Sequence, residues 1–258
     1  MLIDSHCPLT CPALADTAAV VARAKEAGVG LMQTISTQRS DFAQVKALAD
    51  SYPEIYCSIG IHPHEAEPHE DISEAELLAE ANHLKVIGIG ETGLDYYYEH
   101  SPKKAQQELF KRHIRVARQL DLPVIIHSRE ADDDTVAILK ESYAEGPLRI
   151  LIHCFSSTQY LSDEAVKLGG YISASGIITF KKSQALRDSF KSVPLERLLV
   201  ETDSPYLAPE PHRGKPCEPA FTVYTARKLA EVKSVSVETL IAATTDNFFT
   251  LFSKVKQA

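Results

Sequence analysis

The sequence predicts an α/β chain folded as a (β/α)8 barrel of the TIM type, and three observations predict it. Eight short apolar runs of strand character recur along the chain, amphipathic segments separate them, and ionisable side chains gather where the runs end. A barrel of this kind occupies about 250 residues as one unit. With no linker composition and no internal repeat, residues 1–258 read as a single domain.

The first run is Met1 to Ile3, followed by the helical pattern Thr17 to Ala27. Leu31 to Ile35 is the second run and leads into the segment Asp41 to Ser51. Ile55 to Ile61 and Val86 to Gly90 follow, separated by Ser73 to Ala81, and the long pattern Ala105 to Leu120 precedes Val124 to Ile126. Asp132 to Tyr143 leads to Ile150 to Ile152, and Tyr171 to Ala174 and Leu198 to Val200 complete the set. In each intervening segment the apolar positions recur at helical spacing, the mark of a helix with one buried face. Residues 204–220, "SPYLAPEPHRGKPCEPA", carry four further prolines after Pro205 and therefore irregular backbone. Phe221 to Val232 and Val237 to Phe252 are expected as C-terminal helices that close the barrel.

Composition narrows the class. Apolar residues make up 44% and charged ones 24%, ordinary for a folded globular chain. No apolar run approaches the roughly 18 residues of a membrane span, and the start of the chain lacks a basic region and apolar stretch, so a cytoplasmic location and no membrane partner are expected. The five cysteines are scattered without a CxxC, which indicates free thiols rather than a disulfide framework or a structural zinc cluster. A net charge of −8 is the wrong sign for holding nucleic acid on a broad basic surface. An anionic substrate would have to be met by local cations.

Active sites of such barrels form at the C-terminal ends of the strands. Asp4 and His6 follow the first run, His62 and His64 the third, Glu91 the fourth, His127 the fifth, His153 the sixth and Asp203 the eighth. A lone histidine at a strand end is ordinarily structural, but these fall at six of eight ends on one face. Imidazoles and carboxylates in one concave mouth suit divalent metals. Two carboxylates with three histidines suffice for two ions sharing a bridge, and such sites hydrolyse. No nucleophile elbow, GxGxxG or Walker loop supports acyl-serine, dinucleotide or NTP chemistry.

The motifs "DSH" at 4–6, "GIHPH" at 60–64, "GETGLDYYY" at 90–98, "LPVIIHSREA" at 122–131, "HCF" at 153–155, "ETDSPYLAP" at 201–209 and "RGKPCEPA" at 213–220 occur in this order. Together they closely resemble the TatD-type metal-dependent hydrolases, amidohydrolase-like barrels of which many are Mg-dependent deoxyribonucleases, including 3′-to-5′ exonucleases. Others of that type are credited with different hydrolyses, such as removing a D-amino acid from tRNA. The resemblance implies one or two divalent ions per chain, Mg or Mn, with Zn or Ni as alternatives. It makes Glu91 the bridging carboxylate, with His127 and His153 completing one metal site and His6 and Asp203 belonging to the other. Asp203 would also be the general base that deprotonates the attacking water. His62 and His64 would contact substrate at the mouth, and Arg129 would add a bidentate phosphate contact. DNA, single-stranded or at 3′ ends, is the implied partner, with no obligate protein partner.

Two positions depart from the resembled pattern. Most relatives read H-x-H where this chain has His6-Cys7-Pro8, so one imidazole is lost; proline cannot ligate, and alternation would aim Cys7 away from His6. A water could replace the missing ligand, a single metal could suffice at Glu91, His127 and His153, or the barrel could have become a non-catalytic binding scaffold. An amide or ester hydrolase is the enzymatic rival to the nuclease. Cys217 stands where relatives commonly carry Asn, and that position is expected to order the loop after the eighth strand. Tyr96 to Tyr98 are read as packing residues rather than base-stacking ones, and Arg129, Arg213 and Lys215 as the local cations.

Overall fold

The computed structural model of the protein describes residues 1–98 and 100–256. Eight parallel strands follow one another in chain order: β1 (Leu2–Asp4), β2 (Val29–Ile35), β3 (Ile55–Ile59), β4 (Val86–Asp95), β5 (Val124–Arg129), β6 (Ile150–Ile152), β7 (Tyr171–Ala174) and β8 (Leu198–Val200). Backbone hydrogen bonds then carry the last strand back to the first: Ser5 N donates to the Val200 carbonyl at 3.2 Å and Asp203 N to the His6 carbonyl at 2.9 Å. The sheet is a nearly closed barrel. Helices lie between the strands: α1 (Thr17–Glu26), α2 (Phe42–Ser51), α3 (Glu74–Ala81), α4 (Lys103–Leu120), α5 (Asp132–Ala144), α6 (Gln159–Lys167) and α7 (Gln184–Ser192). The pair α8 (Thr222–Lys233) and α9 (Val237–Leu251) closes the chain's path as expected, and residues 204–218 form neither helix nor strand.

The core has two parts. A large one joins the outward faces of the strands to the helices, and a smaller one fills the barrel interior with Ile3, Leu31, Ile87, Ile125, Leu151 and Leu199. Phe248 and Leu251 of α9, with Phe252 just after it, pack on that interior set, plugging the end of the barrel where the strands begin. Ile125, His127 and Arg129 share a parity on β5, so the alternation that seats Ile125 in the interior core carries the other two up toward the opposite, open end. Stability is built at one end and chemistry at the other.

β4 and β5 run furthest past their expected ends. β4 passes through Glu91 to Asp95 and β5 through His127 to Arg129, placing both ligand candidates on paired strands rather than in loops. Gly93 permits this: it pairs with His127 at φ +134°, and a Cβ there would stand 2.0 Å from the His127 carbonyl oxygen. Asp4, at the end of β1, is fully buried and accepts hydrogen bonds from Thr202 N at 3.0 Å and Thr202 Oγ1 at 2.6 Å. It clasps the β8–β1 seam, and burial pushes its pKa up to about 7. All five cysteines are free thiols. Among the described residues no helix is long and apolar enough to cross a membrane.

His113 of α4 is fully buried beneath the turn that follows β3. Its Nδ1 lies 2.8 Å from the Leu109 carbonyl and its Nε2 accepts from Ile61 N at 3.2 Å, which requires the neutral ring. Burial lowers its pKa from 6.5 to about 4. Its contribution to stability is therefore complete above pH 6.5 and is lost as the pH falls toward 4, by about 3 kcal/mol. Thermal unfolding of the natural chain and His113→Gln across that range should show a shallower acid-side decline in the variant; parallel curves would contradict the assignment.

Candidate metal centre

Glu91 is the hub of the open end. Its Oε1 lies 2.8 Å from His153 Nε2, 3.3 Å from His127 Nδ1 and 3.5 Å from His62 Nε2, and its Oε2 lies 3.3 Å from His6 Nε2. Asp203 Oδ1 is 3.7 Å from the same His6 Nε2. The rings of His6 and His153 stack face to face, 4.0 Å between centroids and 9° between planes. Residues from the ends of β1, β3, β4, β5, β6 and β8 thus meet within one cavity mouth, as a barrel with in-order strands requires.

The electrostatics follow from burial opposed by pairing. Burial alone would push the Glu91 carboxyl up, but the imidazoles of His153, His62 and His127 hold it well below the usual carboxylate range. The converse holds for His153, where Glu91 and Glu201 outweigh burial and raise the pKa well above its ordinary value, and for His127, raised by Asp95 and Glu91. For His62 burial outweighs the nearby Glu91 carboxylate and lowers the pKa to about 3. Asp203 is pushed up to about 6, chiefly by burial. The backbone is strained here as well. Glu130, Cys154, Asp203 and Leu207, just beyond β5, β6 and β8, take left-handed φ between 42° and 57°.

Two carboxylates that the sequence reading did not single out hold the imidazoles in place. Asp95 Oδ2 lies 2.9 Å from His64 Nε2 and 3.0 Å from His127 Nε2, while its Oδ1 accepts from the backbone of Tyr97 and Tyr98. Burial opposes its ionisation, but His127 and these donors hold its pKa far below the usual range. An ionised Asp95 can only accept, so both Nε2 atoms carry hydrogen and the Nδ1 of His127 is the ring nitrogen left to face Glu91. Glu201, fully buried, accepts from Cys154 N at 2.7 Å and stands 3.4 Å from His153 Nδ1.

These residues fit a divalent cation. Both ring nitrogens of His6 are buried and without a hydrogen-bond partner, although Nε2 faces the Glu91 carboxylate. A buried, unpaired nitrogen is costly unless it donates its lone pair to something. His62, Glu91 and His127 bring their donor atoms within 4.8 Å of one another, as do His6, His153 and Glu201. Glu201 lies beyond the Nδ1 side of His153, away from Glu91, which suits an orienting carboxylate rather than a ligand. His62 also has a structural role, since its Nδ1 accepts from His64 N across Pro63.

The other expected residues fall nearby. His64 is one step out, tied to Asp95. Arg129 pairs with neither Glu130 nor Asp132 among the described residues; its guanidinium lies over the rings of Tyr97 and Tyr98, 4.0 and 4.7 Å from their centroids. Tyr96 is the packing anchor expected, donating to Asp134 Oδ2 at 2.7 Å, but Tyr97 and Tyr98 are half exposed. Arg213 and Lys215 line a separate, shallower cleft, with Arg213 over the Phe180 ring. Cys217 N donates to the Pro205 carbonyl, ordering the loop as anticipated. Cys7 turns its thiol to the Gln33 carbonyl, away from the site, and Pro8 lines the cavity beside His6.

The family model described as TatD related DNase matches residues 3–253. The chain belongs to the TatD family. It is 41% identical to the metal-dependent hydrolase YcfH of Escherichia coli over 97% of this chain and 95% of that one, and 37% identical to the metal-dependent hydrolase YabD of Bacillus subtilis over 98% and 99%. The crystal structure of the TatD homologue YjjV from E. coli superposes with a TM-score of 0.91 at 33% identity, covering 98% of both chains. As a TatD protein, this chain shares the metal-dependent hydrolase class of those relatives, and its imidazole cluster is where such a metal fits.

Asp95→Asn replaces an acceptor of two hydrogen bonds by a group that cannot serve both rings. Calorimetric titration of the chelated protein with Mn²⁺ should show affinity reduced by roughly 10- to 100-fold, and unchanged affinity would remove Asp95 from the support of the centre.

Proposed function

We propose that this chain is a divalent-metal-dependent deoxyribonuclease acting in the cytoplasm, with the whole barrel, residues 1–258, as one unit. The reading is a hydrolase that cleaves phosphodiester bonds at the 3′ ends of single-stranded DNA. The observation that carries it is the Glu91 carboxylate facing four imidazoles at the floor of a cavity of about 1430 Å³.

Glu91 would hold the metal or bridge two of them, with His127 and His153 on one side and His6 and Asp203 on the other. One or two ions are proposed, Mg or Mn first, Zn or Ni second. When bound, such a cation polarises the phosphodiester and stabilises the charge that develops on its oxygens. Asp203, at the edge of the cavity, accepts the proton of the attacking water. His62 and His64 line the same cavity, where His62 would donate its Nε2–H to a non-bridging oxygen and His64, its own Nε2–H held by Asp95, would contact the substrate beside it, and Arg129 presents guanidinium donors that no protein acceptor among the described residues occupies. Asp95 and Glu201 fix His127 and His153 in the orientation this requires.

A second reading rests on the cavity wall, which among the described residues carries eight carboxylates and, as its only lysine or arginine, Arg129. Such a wall repels a polyanion and suits an amide or ester substrate. A non-catalytic scaffold, the reading Pro8 would permit, leaves the buried His6 nitrogens unexplained.

The test is nucleotide release from a 3′-labelled single-stranded DNA with Mg²⁺ or Mn²⁺, run beside Glu91→Ala, Pro8→His and a small ester. Release that disappears with Glu91→Ala and with chelation supports the nuclease. Asp203→Asn should lower the rate by about 100-fold or more, and any gain from Pro8→His measures the missing imidazole. Hydrolysis of the ester without DNA cleavage would replace the nuclease by the second reading.

A further inference from the structure

Exposed aromatic rings are concentrated at the mouth. Of the five tyrosines that are strongly exposed, Tyr98, Tyr160 and Tyr206 line the central cavity and Tyr97 adjoins it. Tyr97, Tyr98 and Tyr206 stand on the loops after β4 and β8, and Tyr160 in the first turn of α6 after β6, so the loops bearing Tyr98 and Tyr206 face each other across the opening.

The two sides differ. On the β4 side Tyr98 is already in a stack, with the Arg129 guanidinium 4.7 Å from its centroid and the His100 ring nearly parallel to it at 5.5 Å. That wall is preassembled. On the other sides, Tyr206 is 63% and Tyr160 46% exposed, and neither ring packs on another ring or a cation among the described residues. An exposed phenol ring at a cavity edge loses little entropy when a flat partner covers it, and nucleobases of every kind offer such a face.

The charge pattern gives the reason for a grip of this kind. With Arg129 the only lysine or arginine among the described residues of a wall that carries eight carboxylates, direct phosphate contacts are few, and rings are what the mouth offers beside them. A duplex hides its base faces inside the stack, so only an unpaired nucleotide presents one.

Resting on the nuclease reading, we propose that Tyr206 and Tyr160, facing the Arg129–Tyr98–His100 stack, form a base-stacking clamp for the terminal unpaired nucleotide. The strand is held chiefly by its bases, and its scissile phosphate is delivered to the floor. Selectivity for single strands then comes from stacking, without reading base identity.

The experiment compares two 3′-labelled oligothymidylates, one natural and one with its last two nucleotides abasic, as substrates for the natural protein, Tyr206→Ala and Tyr206→Phe. The clamp predicts that kcat/KM for the natural strand exceeds that for the abasic one by roughly ten- to a hundredfold. Tyr206→Ala should erase most of that ratio while leaving hydrolysis of the abasic strand unchanged, and Tyr206→Phe should keep it. Equal cleavage of both strands by the natural protein, or an unchanged ratio in Tyr206→Ala, overturns the proposal. If neither strand is cut, the nuclease reading fails, and fluorescence anisotropy of the same strands decides the clamp: preferential binding of the natural strand that Tyr206→Ala abolishes supports it, equal binding of the two sinks it.

Discussion

A carboxylate kept ionised inside the barrel mouth is the constraint on which the rest of the site depends. Taking Glu91 out of water carries a penalty of several kcal/mol unless charged or hydrogen-bonding partners face it, and four imidazoles from four different strand ends stand against it. Each of those rings must in turn be prevented from rotating away. Asp95 does this for His127, Glu201 flanks His153, and stacking fixes His6 against His153. The shell is a nested set of charge pairings, each residue held by one farther from the centre.

The same logic explains where backbone strain is tolerated. Left-handed residues at Glu130, Cys154, Asp203 and Leu207 cluster around the mouth, whereas Asp121 and Ser234 take that conformation as helix caps. Conformations of this sort persist only where surrounding structure enforces them. The plug of α9 residues at the far end supplies rigidity without occupying the mouth.

The barrel was readable in the sequence because eight strand-like runs recur and helical periods separate the first six, although the helices α6 and α7 between the last three strands carry no period that the sequence reading named. The strand ends were less readable. Gly90-Glu91-Thr92-Gly93 looks like a break, yet β4 continues through it, since close contact with β5 excludes any side chain at position 93. His6, His62, Glu91, His127, His153 and Asp203 could be found from their places after apolar runs. Asp95 and Glu201 escaped notice because each sits inside a motif whose more obvious residue drew the role. Parity was an available signal for Asp95, which shares it with Glu91 along β4. The exposure of the aromatic mouth was not legible, because nothing in "DYYY" separates the anchored Tyr96 from its exposed neighbours. That distinction depends on Asp134 and Gln107, which are distant in sequence.

The β8–β1 seam has a consequence in time. Asp4 and Thr202, 198 positions apart, are joined by two hydrogen bonds, and His6 shares a backbone bond with Asp203 directly above them. A chain still emerging from the ribosome holds His6 and Glu91 long before it holds Asp203. The centre cannot assemble until the last strand has docked on the first. Long-range closure of this kind is slow, and it withholds a reactive site from the unfinished protein, so a truncated product ending before β8 would be inert rather than indiscriminately hydrolytic.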